Sequence, residues 1–254
     1  MIGNECREAK NLMIAVTFAL SAESQEFLHS LGNKSRSDCN GVRTIRGEID
    51  SLTIEVLHTG VGEKVCRQRV AKFLSATGRI RRREQDQEFA CLISAGFAGA
   101  LNDQLKVGDL LLAKNFSTVD LVETRVLLSG LPIHVANLLT VPALIDSVDE
   151  RMKLARTSGA VAVDMETEFI ARACAKHGLP LLSLRVISDT PRELFPVPAN
   201  VLFDMERQQP NMPKLAAYLL AHPTRVLCLV QFSRRIARAR RILAKALVAV
   251  VRKL

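Results

Sequence analysis

Four apolar runs constrain this chain more than anything else in it: LMIAVTFAL (12–20), LTIEVLH (52–58), FACLISAG (89–96) and LPLLSLRVIS (179–188). They are nearly continuous rather than alternating, which is how strands covered on both faces read. The segments between them read as helices, so the expected architecture is α/β with a largely parallel central sheet. With no Trp and one Tyr, the core has to be built from Val, Leu, Ile and Ala. A length of 254 residues allows one large domain, or a domain plus an extension.

Local signals fill in the elements. SAESQEFLHSLG (21–32) reads as a helix opening at Ser21 and closing near Gly32. GVRTIRGEIDSLTIEVLHTGVG reads as a hairpin turning at Asp50-Ser51. EKVCRQRVAKFLSATG (63–78) is a helix ending at Gly78, and RIRRREQDQE (79–88) a solvated loop. KVGDLLLAKN (106–115) is a strand introduced by a Gly-Asp turn, and SVDERMKLARTSG (147–159) a helix within the mixed stretch 132–160. The proline-spaced segments PRELFPVPAN (191–200) and QQPNMP (208–213) mark a boundary, giving a main domain over 1–206 and an extension over 207–254.

The formal charge of +9 belongs to that extension. No acid follows Glu206, while eleven of the 35 bases do, leaving 24 bases against 26 acids elsewhere. At about 100° per residue, Arg234, Arg238, Arg241, Lys245 and Arg252 gather on one side of a helix. Ile236, Ala239, Leu243, Ala246, Leu247, Val250 and Leu254 gather on the other. A basic amphipathic helix of this kind suits an anionic membrane surface, or packs on its own domain or on a second copy. Nucleic acid is disfavoured as a partner, because aromatics are not interleaved and the main domain is not basic. The six cysteines (6, 39, 66, 91, 174, 228) form no CxxC pair and read as buried reduced thiols in a cytoplasmic protein. They have no metal-ligand spacing with histidine, and no metal is expected. Neither a signal peptide nor a spanning segment is legible, which fits a cytoplasmic protein that can sit peripherally on the inner face of the membrane.

Four clusters could carry chemistry. Glu23 follows the first strand, at the kind of junction where α/β folds build sites, though a first-turn Glu also suits the helix dipole. HTGVGE (58–63) and SAGFAGAL (94–101) are glycine-rich turns after strands, able to bring backbone N–H groups to a ligand or simply to turn tightly. In VAVDMETEF (161–169), a helix starting near Asp164 sets Glu166 in line with Ile170, Ala173 and His177 on an apolar face. An ionised carboxylate there is costly without partners; a rotated helix would expose it instead. RVISDT (185–190) ends an apolar strand in Ser188-Asp189-Thr190, either a turn or an acid at a strand edge.

Taken in order, IAVTFALSAE, HTGVG, SAGFAGAL, VGDLLLA, AVDMETE and LRVISDT resemble the nucleoside phosphorylase and nucleosidase superfamily over residues 12 to 200. The resemblance implies a three-layer α/β/α fold with a mixed, mostly parallel central sheet, a homo-oligomer, and no cofactor. It implies that Glu166 binds the ribose 2′- and 3′-hydroxyls with Met165 against the sugar. Asp189 would donate a proton or hydrogen bond to N7 of a purine, Ser188 orienting it, and Glu23 would activate the attacking water. Gly96, Phe97 and Ala98 would border base and sugar. Three departures bear on the reaction. The Gly-Asp-Pro stretch and two arginines of the phosphorylases are missing, with FALSAES after the first strand and Ser94 before the glycine turn, which disfavours a phosphate dianion. Phe97 stands where a small hydroxyl residue is usual. Neither the loop that brings a stacking Phe nor a Gln/Arg pair for uracil is found, so a purine is expected. A short segment before Met165-Glu166 and a basic tail resemble the hopanoid-associated branch, which implies release of adenine from an adenosyl lipid.

Overall fold

The structure, a computed structural model, describes residues 12–39, 41–77 and 88–253. The N-terminal stretch with Cys6, the close of the second helix at Gly78 and nearly all of the expected basic loop after it lie outside the described residues, as does Leu254. The chain runs β1 (Leu12–Phe18), α1 (Ser21–His29), β2 (Gly32–Cys39), β3 (Val42–Ile49), β4 (Leu52–His58), α2 (Glu63–Thr77) and β5 (Glu88–Ala100). It continues with β6 (Leu110–Ala113), α3 (Leu121–Leu127), β7 (Ile133–Ala136), β8 (Leu138–Thr140), α4 (Val148–Ser158), β9 (Ala162–Asp164), α5 (Thr167–His177) and β10 (Leu181–Asp189). The last elements are α6 (Ala199–Leu202), the two-residue strands β11 (Phe203–Asp204) and β12 (Gln209–Pro210), α7 (Met212–Ala221) and α8 (Arg225–Lys253).

The four apolar runs become β1, β4, β5 and β10, and they lie side by side in the order β4-β1-β5-β10, all parallel. Every residue of β10 is buried, as its unbroken apolar composition requires. Antiparallel pairings extend the sheet on both sides, β4 to β3 to β2 on one and β10 to β6 on the other, and the short β9 joins β5. The result is the mixed, mostly parallel sheet of a three-layer α/β/α fold. The β3–β4 hairpin turns at Asp50 (φ 48°) and Ser51 (φ 69°), the left-handed pair that a two-residue hairpin loop demands.

Helices cover both faces. Phe27 of α1 and Leu243, Leu247 and Val250 of α8 pack with Ile14, Val16, Ile93, Leu184 and Val186 into the largest core cluster. On the opposite face, Val70, Phe73 and Leu74 of α2 and Ile170 and Cys174 of α5 pack on Ala15, Leu57 and Leu92. Helix ends follow the sequence: Ser147 caps α4 through Glu150 N, and Gly159 and Gly178 close α4 and α5 in the left-handed conformation.

The C-terminal helix packs on its own domain, one of the partners that its spacing allowed. It is amphipathic as its spacing predicts, and Ala239, Leu243, Ala246, Leu247 and Val250 are buried in the main core. The apolar face is used up inside the protein, and the boundary drawn after residue 206 falls ahead of a helix whose second half completes a layer. Its outward face still carries Arg234, Arg238, Arg241 and Lys245, and Leu227 and Val230 are exposed near its start. No helix among the described residues is long and apolar enough to cross a membrane. Because Leu247 is fully buried, Leu247→Ala is expected to cost about 3 kcal/mol in denaturant unfolding. An unchanged midpoint would mean that the helix is an appendage.

Candidate active site

The candidate site lies at the carboxyl ends of the parallel strands, where α/β sheets of this topology place their ligands. Glu23 sits in the first turn of α1, just beyond β1. Its Oε2 accepts from the Leu20 main-chain N–H (3.0 Å), which caps its own helix, and its Oε1 accepts from the Phe97 N–H (3.2 Å) at the end of β5. A Cβ at position 96 would stand 3.4 Å from Oε1, in ordinary van der Waals contact, so the strand and the acid are packed against each other here. Burial pushes the Glu23 carboxyl above the usual range, and the two N–H groups pull it part of the way back.

Glu166 lies between β9 and α5, at the N-cap position of α5 rather than on the helix itself. Its Oε1 accepts from the Gly62 N–H at 2.9 Å, and Gly62 has φ 87°, a conformation that turns this N–H inward at the end of the HTGVG loop. Burial first, then the negative charge of Asp164, raises the Glu166 carboxyl to about 8, with Gly62 acting in the other direction. Asp164 itself closes β9 and holds the start of α5: it accepts from the Thr167 N–H and hydroxyl and from the Thr140 hydroxyl at 2.8 Å. The helix start expected for Asp164 is thus present, three residues later than the apolar-stripe argument set it. Glu168 faces outward and pairs with Arg172 one turn on.

Glu23 and Glu166 line one small cavity together with Thr59, Phe97, Ile170 and Arg185. Its free space is about 10 Å³, roughly what one water molecule needs. Arg185 is the residue that sequence reasoning passed over. It projects from β10 and is 3% exposed. Its Nε donates to Asp164 (3.0 Å), Nη1 to the Ser94 carbonyl (2.7 Å), and Nη2 to the Ser94 hydroxyl (2.8 Å) and the Thr167 hydroxyl (2.5 Å). The available signal was a lone cation inside LPLLSLRVIS, where a buried charge must have partners.

Ser188 and Asp189 stand on the far side of the glycine turn and outside that cavity. The Ser188 hydroxyl lies 2.6 Å from Asp189 Oδ1 and 3.3 Å from the Ala98 carbonyl. Asp189 Oδ2 pairs with the buried guanidinium of Arg151. The segment Gly96–Gly99 therefore separates two acid centres, Glu23 against Gly96 and Phe97, and Asp189 against Gly99. The Phe97 ring packs against the α1–α8 core, so of this residue the site receives the main-chain N–H. Met165 is half-buried beside Glu166. One further element was not legible: Gln208 bonds both the N–H (2.7 Å) and the carbonyl (3.1 Å) of Val61, strapping the β11–β12 segment over the loop that holds Glu166. Burial raises the thiols of Cys66 and Cys174 to about 12, which removes them as nucleophiles. Among the described residues no group of His, Cys, Asp and Glu is arranged to hold a metal ion.

A carboxylate whose folded value exceeds its ordinary 4.5 binds a proton that the unfolded chain has already released. Stability therefore falls as the pH rises from about 4.5 to about 8. Glu166→Gln removes its share of that loss, so denaturation midpoints measured from about pH 5 to about pH 9 are expected to decline less steeply than in the wild type. Parallel curves would show that Glu166 is not buried as described.

Comparison with known proteins follows the same lines. A sequence model of the phosphorylase superfamily matches residues 115–222, the stretch from the end of β6 to α7 that includes Glu166 and Asp189. A 5′-methylthioadenosine/S-adenosylhomocysteine nucleosidase of Staphylococcus haemolyticus is 24% identical over 206 residues, covering 70% of this chain and 86% of that one. Among solved structures, a futalosine hydrolase mutant of Helicobacter pylori superposes with a TM-score of 0.68 at 18% identity, over 96% of this chain and 100% of the other. The Campylobacter jejuni 5′-methylthioadenosine/S-adenosylhomocysteine nucleosidase gives 0.68 at 16% identity, with 96% and 100% covered. The ordered motifs, the sheet topology and these matches agree in likening the chain to the phosphorylase superfamily and its nucleosidases.

Proposed function

We propose that this enzyme is a purine nucleosidase that splits the N-glycosidic bond of an adenosyl compound with water and releases adenine. The observation that carries the reading is the water-sized cavity walled by Glu23 and Glu166. A water there sits beside an acid able to take its proton, and beside a second acid suited to the ribose hydroxyls. Cleavage proceeds through a state with positive charge on the sugar ring, which nearby carboxylates stabilise. Glu23 directs the water at the anomeric carbon and accepts its proton; Glu166, with Met165 against the sugar, takes the 2′- and 3′-hydroxyls. Asp189, oriented by Ser188, neutralises the departing base at N7, and Gly96, Phe97 and Ala98 form the wall between sugar and base.

Water is favoured over phosphate by the state of the cation at the cavity. Among the described residues lining it, Arg185 is the basic one, and its guanidinium is already committed to Asp164, Ser94 and Thr167. A phosphate dianion would find two buried acids and no free cation.

The finer reading concerns the 5′ side. The outward row of Arg234, Arg238, Arg241 and Lys245, with exposed Leu227 and Val230 at its end, suits an anionic membrane surface, and supports a lipid-linked adenosyl substrate of the adenosylhopane type met at the inner face of the membrane. Exposed Val122 and Val126 on α3 support a homo-oligomer. The test is chromatography of free base from adenosine, methylthioadenosine, adenosylhomocysteine and an adenosyl lipid in anionic vesicles, each with and without phosphate. Adenine release that ignores phosphate, fastest from the lipid, is expected; release from the soluble compounds alone would remove the lipid reading. Turnover that requires phosphate would make the enzyme a phosphorylase, and adenine binding without any cleavage a binding protein.

A further inference from the structure

Arg151, in the first turn of α4, is the largest fully buried side chain among the described residues, with 1% of its surface exposed. Burying a guanidinium costs several kcal/mol unless its donors are met. Here Nε donates to the Ile145 carbonyl at 3.0 Å and Nη1 to the Ala100 carbonyl at 2.8 Å, while Nη2 pairs with Asp189 Oδ2. Two of these acceptors are main-chain atoms on separate segments, the approach to α4 and the end of β5. The guanidinium is therefore anchored independently of Asp189, and Asp189 is the partner that it orients. The backbone has left room for the pair. A Cβ on Gly99 would stand 2.9 Å from Asp189 Oδ2 and 3.2 Å from Arg151 Nη1, and Gly99 is not in a left-handed conformation. Its glycine is there for space.

We infer that Arg151 is a positioning residue for base departure, acting through Asp189. By holding Oδ2 it leaves Oδ1 as the oxygen that can carry a proton to the purine. The Ser188 hydroxyl fits that division: it reaches both Oδ1 (2.6 Å) and the Ala98 carbonyl (3.3 Å). It can donate to Oδ1 when the carboxylate is bare, and turn to Ala98 when Oδ1 bears the proton. One proton moves from Oδ1 to the base nitrogen as the glycosidic electron pair goes to the base, and Arg151 stays charged throughout. The inference rests on the assignment of Asp189 to the base in the proposed function.

Arg151→Met and Arg151→Lys test it, with Gly99→Ala as a variant that keeps both charged groups but crowds them apart. On whichever adenosyl substrate the wild type cleaves, Arg151→Met is expected to lose about 10²-fold in kcat, the scale of an ångström-sized misplacement, with KM nearly unchanged. Arg151→Lys should recover part of that loss, and Gly99→Ala should lower kcat as well. A crystal structure of Arg151→Met should show the Asp189 carboxylate rotated, and this readout holds even if the wild type cleaves none of the substrates, which would be a failure of the functional reading. Near wild-type kcat in both Arg151→Met and Gly99→Ala, a loss confined to KM, or an Asp189 that stays in place without Arg151 would each overturn the inference.

Discussion

The guanidinium of Arg185 is the interaction on which the rest of the site depends. It leaves β10 and ties together the end of β9 through Asp164, the body of β5 through both polar atoms of Ser94, and the start of α5 through Thr167. The burial cost of its charge is offset by a buried carboxylate of opposite sign and by acceptors in good geometry. Removing either member of the pair would leave the other charge uncompensated. The network also fixes chemistry at a distance. Asp164 is two residues from Glu166, so the turn that Asp164 and Thr167 hold is the turn that aims Glu166 at Gly62.

The same economy explains why the acids are where they are. Glu23 and Glu166 are both buried, and burial raises both. In a structural ion pair that would be a defect. Around a cavity the size of one water it is an asset, because burial makes a carboxyl a better proton acceptor than a free one. The backbone does most of the holding: N–H groups of Leu20, Phe97 and Gly62 fix the two side chains, and Gln208 fixes the loop that carries Gly62. Asp189 is handled differently, by a side-chain cation on its other flank. The glycine turn of β5 stands between the two arrangements, and its main chain touches both.

Much of this was legible in the sequence for identifiable reasons. Continuous apolar runs can satisfy themselves only inside a covered sheet, so β1, β4, β5 and β10 were fixed by composition. The Asp50-Ser51 turn, the Ser147 cap and Gly159 were fixed by backbone chemistry. β2 was not legible, because GNKSRSDC is polar and its strand exists through pairing with β3 alone. β7, β8 and α3 are short elements whose form is set by neighbours. The tail's amphipathicity was readable but not its partner, since a helical stripe reads the same against lipid as against a sheet. Arg185 and Arg151 were the costliest omissions. Arg151 looks like an ordinary base within a helix pattern and Arg185 stands out only as a lone cation in an apolar strand; the fold alone shows which distant carboxylate each one faces.

The central claim is that a water held between Glu23 and Glu166 is the nucleophile. It is tested most directly by running a single turnover in water enriched in heavy oxygen and weighing the sugar product by mass spectrometry under conditions that prevent later exchange at the anomeric carbon. The account predicts that the sugar gains one heavy oxygen, whether or not phosphate is present, and that Glu23→Gln abolishes its appearance. A sugar released as the 1-phosphate, with no heavy oxygen at its anomeric carbon, would contradict it.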